Sequence, residues 1–286
     1  MLPALVRATV DDLLRRVDRA LPGRIEGFYV VGSACLGGFR PGHSDLDFVA
    51  IVASELRREE LAQLRAVHLG RWRAALVADG LLGRRWPLVC NGIYLRPDDL
   101  ARSPLDVAPL AAHVAGRFAA GAGAGFDVNP VTWHMLAHHG IAVRGPERGH
   151  LQVREHAGEL ASWTLDNLNG WWRRWEERAR HSPAPIARAM PRRYAAGGVL
   201  GAPRLHYTLA TGAIATKEHA AQYARELFEE RWQPLIDDAL GCRRAERARM
   251  PYARHPLRRL RDAGEFVAAV IAAANDRWGD RARAHS

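Results

Sequence analysis

Two short apolar runs on either side of a glycine-rich loop constrain the fold most. The runs are Gly27-Phe28-Tyr29-Val30-Val31-Gly32 and Asp45-Leu46-Asp47-Phe48-Val49-Ala50-Ile51-Val52, and the loop between them carries Gly37, Gly38, Pro41 and Gly42. The first, a short apolar run ending in glycine, reads as a buried strand, and the second as a strand that alternates at its start. The N-terminal part must therefore build a sheet. Around them, residues 5–21 predict a helix, with Val6, Val10, Leu13, Leu14 and Val17 on one face. Residues 55–79 predict a second, and Pro87 to Leu95 a third strand. Helix, strand, strand, helix, strand is an α/β arrangement in which the strands share one sheet. Residues 119–125 read as a flexible loop without the Gly-Lys-Ser/Thr ending of a phosphate loop. Asn129-Pro130 starts a helix that Gly140 stops, and Ile141-Ala142-Val143 is a short strand. From about residue 150 only helical periodicity remains, over 151–179, 197–211, 216–230 and 262–276, broken by clusters such as Ser182-Pro183-Ala184-Pro185. The expectation is an α+β chain: a mixed-sheet N-terminal domain over 1–150 and an all-helical C-terminal domain over 151–286.

At 286 residues the chain is one large domain or two modest ones. Its 48% hydrophobic and 25% charged residues exclude disordered and fibrous classes. No apolar stretch approaches the ~18 residues of a membrane span, and the apolar start Met1 to Val6 is too short for a signal peptide. A cytoplasmic protein is expected. Cys35, Cys90 and Cys242 are too widely spaced for a disulfide framework or a zinc site and read as reduced thiols. Lys and Arg number 41 against 31 Asp and Glu, a net charge of +10. Such a surplus suits an anionic partner: nucleic acid, a membrane surface or a phosphorylated small molecule. Almost all the basic residues are arginine, and alanine is abundant too, the pattern a GC-rich coding bias produces without function. The single lysine is Lys217.

The chemistry is carried by Val30-Val31-Gly32-Ser33, a loop, and then Asp45-Leu46-Asp47. On a strand, side chains at i and i+2 project to the same face, so Asp45 and Asp47 stand together. Paired carboxylates repel unless a cation lies between them. Hard oxygen ligands of this kind suit Mg²⁺, which completes its shell with water and substrate phosphates. Gly32 and Ser33, at the end of the neighbouring strand, let backbone N–H groups and a hydroxyl approach a triphosphate. A metal clamp beside a phosphate cradle is the equipment of phosphoryl or nucleotidyl transfer.

This signature resembles that of the polymerase-β-type nucleotidyltransferase superfamily. More narrowly, the chain resembles the aminoglycoside nucleotidyltransferases that adenylylate streptomycin and spectinomycin. The narrower likeness rests on Gly37-Gly38-Phe39-Arg40-Pro41 with His43-Ser44-Asp45, and on Ile141-Ala142-Val143-Arg144-Gly145-Pro146. It rests also on Arg204-Leu205-His206-Tyr207 with Thr211-Gly212-Ala213-Ile214-Ala215-Thr216-Lys217-Glu218. The resemblance implies ATP as co-substrate, Mg²⁺ on Asp45 and Asp47, and transfer of AMP to a hydroxyl of a small acceptor such as an aminoglycoside. It further implies Ser33 and Ser44 near the nucleotide phosphates, and Arg204 and Lys217 reaching the triphosphate from the helical domain. A monomer or weak oligomer is expected, with neither nucleic acid nor membrane as partner.

Two departures stand out. The family's third acid, the base for the attacking hydroxyl, falls at Asn91 within Cys90-Asn91-Gly92-Ile93-Tyr94, and an amide cannot accept that proton. A polycationic acceptor also calls for an acidic cleft, against a net charge of +10. Two further readings follow: a nucleotide-binding protein with weak or no turnover, and an arginine-rich nucleic-acid binder. Against the latter, Arg243-Arg244 and Arg258-Arg259-Leu260-Arg261 lack interleaved aromatics and read as solvated helix faces. Trp171, Trp172 and Trp175 read as core or interface, and His134, His138 and His139 as satisfied or exposed rather than metal-binding.

Overall fold

The computed structural model describes residues 2–77, 88–121, 127–244 and 252–283. The chain forms two compact units, Met1–His156 and Ala157–Ser286.

The first unit is built on a six-stranded mixed sheet in the order β5-β4-β3-β2-β1-β6. Its strands are β1 (Ile25–Val31), β2 (Leu46–Val52), β3 (Cys90–Leu95), β4 (Ala111–Val114), β5 (Arg117–Ala120) and β6 (Ile141–Arg144). Only β2 and β3 pair in parallel, and α2 (Arg58–Ala75) lies in the crossover between them, as a parallel connection requires. Helix α1 (Ala4–Ala20) buries Val6, Val10, Leu13, Leu14 and Val17, its expected apolar face. These residues form one core with Phe28, Val30, Phe48, Ala50, Leu64 and Tyr94. Phe28 and Phe48 stack at 4.7 Å between ring centroids. A Cβ at Gly92 would lie 2.4 Å from the Phe48 ring, so glycine there lets β3 close onto that stack.

Helix α3 (Pro130–His139) starts and stops where the sequence places it. Asn129 Oδ1 accepts the Thr132 N–H at 3.0 Å, and the Gly140 N–H closes on the Leu136 carbonyl. Four expectations need correction. Strand β2 begins at Leu46, so Asp45 stands just outside it. Of the helix expected over 55–79, the α-helical part ends at Ala75, and residues 78, 79 and Pro87 lie outside the described residues. Ala119 and Ala120 belong to β5, paired with β4, rather than to a loop. Four-residue, alanine-bearing strands carry little strand propensity, and the Ala115-Gly116 turn that joins them, with both φ values positive, does not announce itself in sequence. Finally, residues 151–156 are not helical: the Arg154 N–H bonds the Leu100 carbonyl, which ties that stretch to the first unit.

The second unit is all helical: α4 (Ala157–Asn167), a π-helical stretch over Leu168–Trp172, α5 (Arg173–His181), α6 (Ala184–Ala189), α7 (Arg192–Thr211), α8 (Lys217–Leu227), α9 (Gln233–Arg243) and α10 (Pro256–Arg283). The Pro183-Ala184-Pro185 cluster opens α6 instead of merely separating helices, and α9 was not evident from periodicity. The core gathers Trp175, Val199, Leu200, Leu235, Phe266, Val270 and Ile271. Trp175 lies against Gly198 and Trp172 against Gly201, so two of the three tryptophans fill the core contacts their spacing suggests, while Trp171 is 40% exposed. Among the described residues no helix is long and apolar enough to cross a membrane.

Candidate active site

The three central strands set the surroundings of Asp47, and Asp45 lies just ahead of β2. Asp47 is paired with Val31 on β1 and with Asn91 on β3. At the end of β1 the chain turns sharply: Gly32 has φ +68°, and a Cβ there would lie 2.2 Å from Asp47 Oδ2. The Asp47 carboxylate therefore lies directly over the Gly32 backbone, where only glycine fits. The loop that follows is tied to itself. The Ser33 carbonyl accepts the Gly38 N–H at 2.9 Å, and the Cys35 thiol donates to the Gly32 carbonyl at 3.2 Å. Burial pushes that thiol up to about 12, so it stays protonated. Ser44 is buried, and its Oγ accepts the Arg40 N–H at 3.0 Å, so it shapes the loop directly ahead of Asp45.

Asn91 is buried and bridges two parts of the site. Its Nδ2 donates to Asp45 Oδ2 at 3.3 Å, and its Oδ1 accepts the Ala115 N–H at 3.0 Å. Ala115 has φ +49°, an uncommon conformation for a residue with a side chain. The amide thus donates to one carboxylate and fixes the β4–β5 turn with its other end. A glutamate offers no donor for the first contact at neutral pH.

A third carboxyl, which spacing alone did not single out, stands in the field of Asp45. Burial first, and the negative charge of Asp45 second, push Asp127 up to about 6. Asp127 lies just ahead of the α3 cap at Asn129, some eighty residues beyond Asp45 along the chain, so no sequence motif links the two.

In the helical unit, Arg204 and Lys217 are brought to one corner. Arg204 Nε donates to the Ala215 carbonyl at 2.9 Å, two residues before Lys217. Lys217 is the first residue of α8, whose cap Thr216 accepts the His219 N–H at 3.1 Å. A cation at a helix N-terminus is disfavoured by the macrodipole. Arg243 and Arg259 are buried, not solvated: Arg243 Nε pairs with Glu218 Oε1 at 3.0 Å, and Arg259 lies in the field of Asp238. Arg243 is taken up by an internal ion pair and Arg259 is buried near Asp238.

Residues 182–265 match the family model for the C-terminal domain of aminoglycoside adenylyltransferases. No curated protein matches the chain by sequence. Among solved structures, the fold is similar to that of the spectinomycin adenyltransferase AAD(9) from Enterococcus faecialis, crystallised with ATP and spectinomycin. That similarity has a TM-score of 0.60 at 11% identity and covers 92% of this chain and 99% of that one.

Proposed function

From the premise that this chain resembles the aminoglycoside adenylyltransferases in its C-terminal sequence and in its fold, we propose that it transfers AMP from ATP to a hydroxyl of a small, aminoglycoside-like acceptor in the cytoplasm. The observation that carries this reading is the Asp47 carboxylate set over the Gly32 backbone, with Asp45, two residues ahead of it, hydrogen-bonded by Asn91. The donor set is two hard carboxylates next to a glycine turn, which fits Mg²⁺ with a triphosphate. Asp45 and Asp47 are the residues to hold that ion, and when bound it supplies charge stabilisation for the leaving pyrophosphate.

The protein's own groups do the rest. Gly32 and Ser33 present the turn to the phosphates. By the resemblance, Arg204 and Lys217 are assigned to the triphosphate. Ser44 keeps the loop in shape and reaches the nucleotide through it. The acceptor oxygen forms a bond to the α-phosphorus as the bond to pyrophosphate breaks, and the hydroxyl proton passes to a carboxylate. Asn91 cannot take that proton. Asp127, a carboxyl in the field of Asp45 that burial raises to about 6, is the candidate to take it. The spectinomycin of the AAD(9) complex suggests an aminocyclitol as the first acceptor to try.

The test is pyrophosphate release with each nucleoside triphosphate against a panel of aminoglycosides, in the parent and in Asp47→Asn. Activity with ATP and one antibiotic, lost in the variant while the fold survives, supports the reading. Mg²⁺-dependent ATP binding without release would favour the second reading, a nucleotide-binding protein of the same fold, which the structural use of Asn91 recommends. Release that persists in Asp47→Asn sinks the site assignment.

A further inference from the structure

We propose that His134, His138 and Glu155 form a binding site for a divalent transition-metal ion of the zinc class, separate from the carboxylate pair at Asp45 and Asp47. The two histidines are four residues apart on α3, which places them on one face of the helix. Their rings lie 4.3 Å apart between centroids. Glu155 comes from the non-helical stretch that the Arg154–Leu100 backbone bond ties to the first unit. A single oxygen of Glu155 stands 3.1 Å from His134 Nδ1 and 2.9 Å from His138 Nε2.

All three ligand atoms lie within 4.8 Å of one another, the one such group of three among the described residues. Ligands at the ~2.0–2.1 Å zinc distances in a tetrahedral shell stand about 3.3 Å apart. The two separations to Glu155 are close to that value, and the third lies within 4.8 Å, so an ion is admitted by side-chain shifts. Two imidazole nitrogens and one carboxylate oxygen are borderline donors that suit Zn²⁺, Co²⁺ or Ni²⁺ and discriminate against Mg²⁺. Burial, first, and the neighbouring histidines hold His134 toward its neutral form against the opposing pull of Glu155, and the neutral imidazole is the ligating form. His138 is half exposed, which gives the ion an entry path. Three protein ligands leave a fourth position for water or another donor. Bound there, the ion fastens the end of the first unit onto α3, the helix whose N-terminal approach carries Asp127.

The experiment is a Zn²⁺ titration of tag-free, chelator-stripped protein against a chromophoric competitor, repeated with Co²⁺ to read its tetrahedral visible bands. One equivalent bound at micromolar metal is expected, with a higher melting temperature as the ion binds the folded state. The double variant Asp45→Asn/Asp47→Asn should retain that equivalent. His138→Ala and Glu155→Gln should each lose more than the ~10–100-fold that even outer-shell partners cost. Because His138 sits on the helix surface, its variants should melt like the parent without metal, and His138→Gln serves as a second check if His138→Ala does not. No binding at micromolar Zn²⁺, or undiminished binding in His134→Ala/His138→Ala, overturns the proposal and leaves Glu155 as a hydrogen-bonded clasp only.

Discussion

At the scale of single residues, Asp127 carries the sharpest consequence. Its carboxyl is raised from 3.8 to about 6, so folding favours its protonated form. The stability this group contributes is fully present below the unfolded value near 4 and is lost as pH rises through about 6. Asp127→Asn removes that loss. In metal-free protein at pH 7 the variant should be more stable by about 1–2 kcal/mol, the full ~1.36 kcal/mol per unit being discounted because the side chain is only partly buried. Turnover should meanwhile fall by the ~10²–10⁴-fold a positioned base contributes, with ATP binding little changed. Denaturant melts at pH 4 and pH 7 and steady-state rates check both halves. A variant as active as the parent removes Asp127 from the mechanism.

At the scale of elements, neighbouring glycines in α7 should respond to alanine with opposite signs. A Cβ at Gly198 would lie 2.1 Å from the Trp175 ring, which is 3% exposed and wedged between α7 and its neighbours. Gly198→Ala should therefore cost about 1–3 kcal/mol by overpacking, even after the helix-propensity gain. Gly197 has nothing within 4 Å of its Cβ position. There the same change should stabilise by up to ~1 kcal/mol, because alanine loses less backbone entropy in a helix. Equal effects in chemical denaturation would mean that Trp175 has room to move. The pair separates packing from propensity within one turn of one helix.

At the scale of the molecule, acid should weaken both units before most carboxylates titrate. His68 is fully buried, with Nε2 2.8 Å from the Tyr94 hydroxyl, and burial and neighbouring positive charge hold it well below its ordinary value. His113, stacked on it at 4.7 Å, is lowered chiefly by burial. In the second unit burial, then Arg277, pushes His206 down to about 4. Each is neutral when folded and takes up a proton when unfolded, so stability is complete above pH 6.5 and declines as pH falls toward 4. Melting temperatures should begin to drop near pH 6.5 in each unit's transition, and His206→Phe should flatten the drop in the second alone. A profile level down to pH 5 would contradict the buried, neutral histidines. The net charge of +10 adds self-repulsion in the same direction as carboxylates lose their charge.

Sequence alone determined what rests on local chemistry. The strand runs at Phe28–Val31 and Phe48–Val52, the α1 stripe, and the Asn129 cap and Gly140 stop are all set by near neighbours, whose periodicity and turn residues are written into the chain. Only the tertiary structure decided the rest. The β4–β5 hairpin exists because β3 offers an edge to pair with, and the stretch 151–156 leaves the helix because Leu100 accepts the Arg154 N–H. Asn91 reads in sequence as a missing acid. In the fold it is a bridge from Asp45 to Ala115, because parallel pairing sets β3 beside β2. Asp127 beside Asp45, and Glu155 across His134 and His138, join residues too far apart along the chain for any spacing to signal them. Contacts of that kind are selected by packing of the whole unit, which no local window of sequence contains.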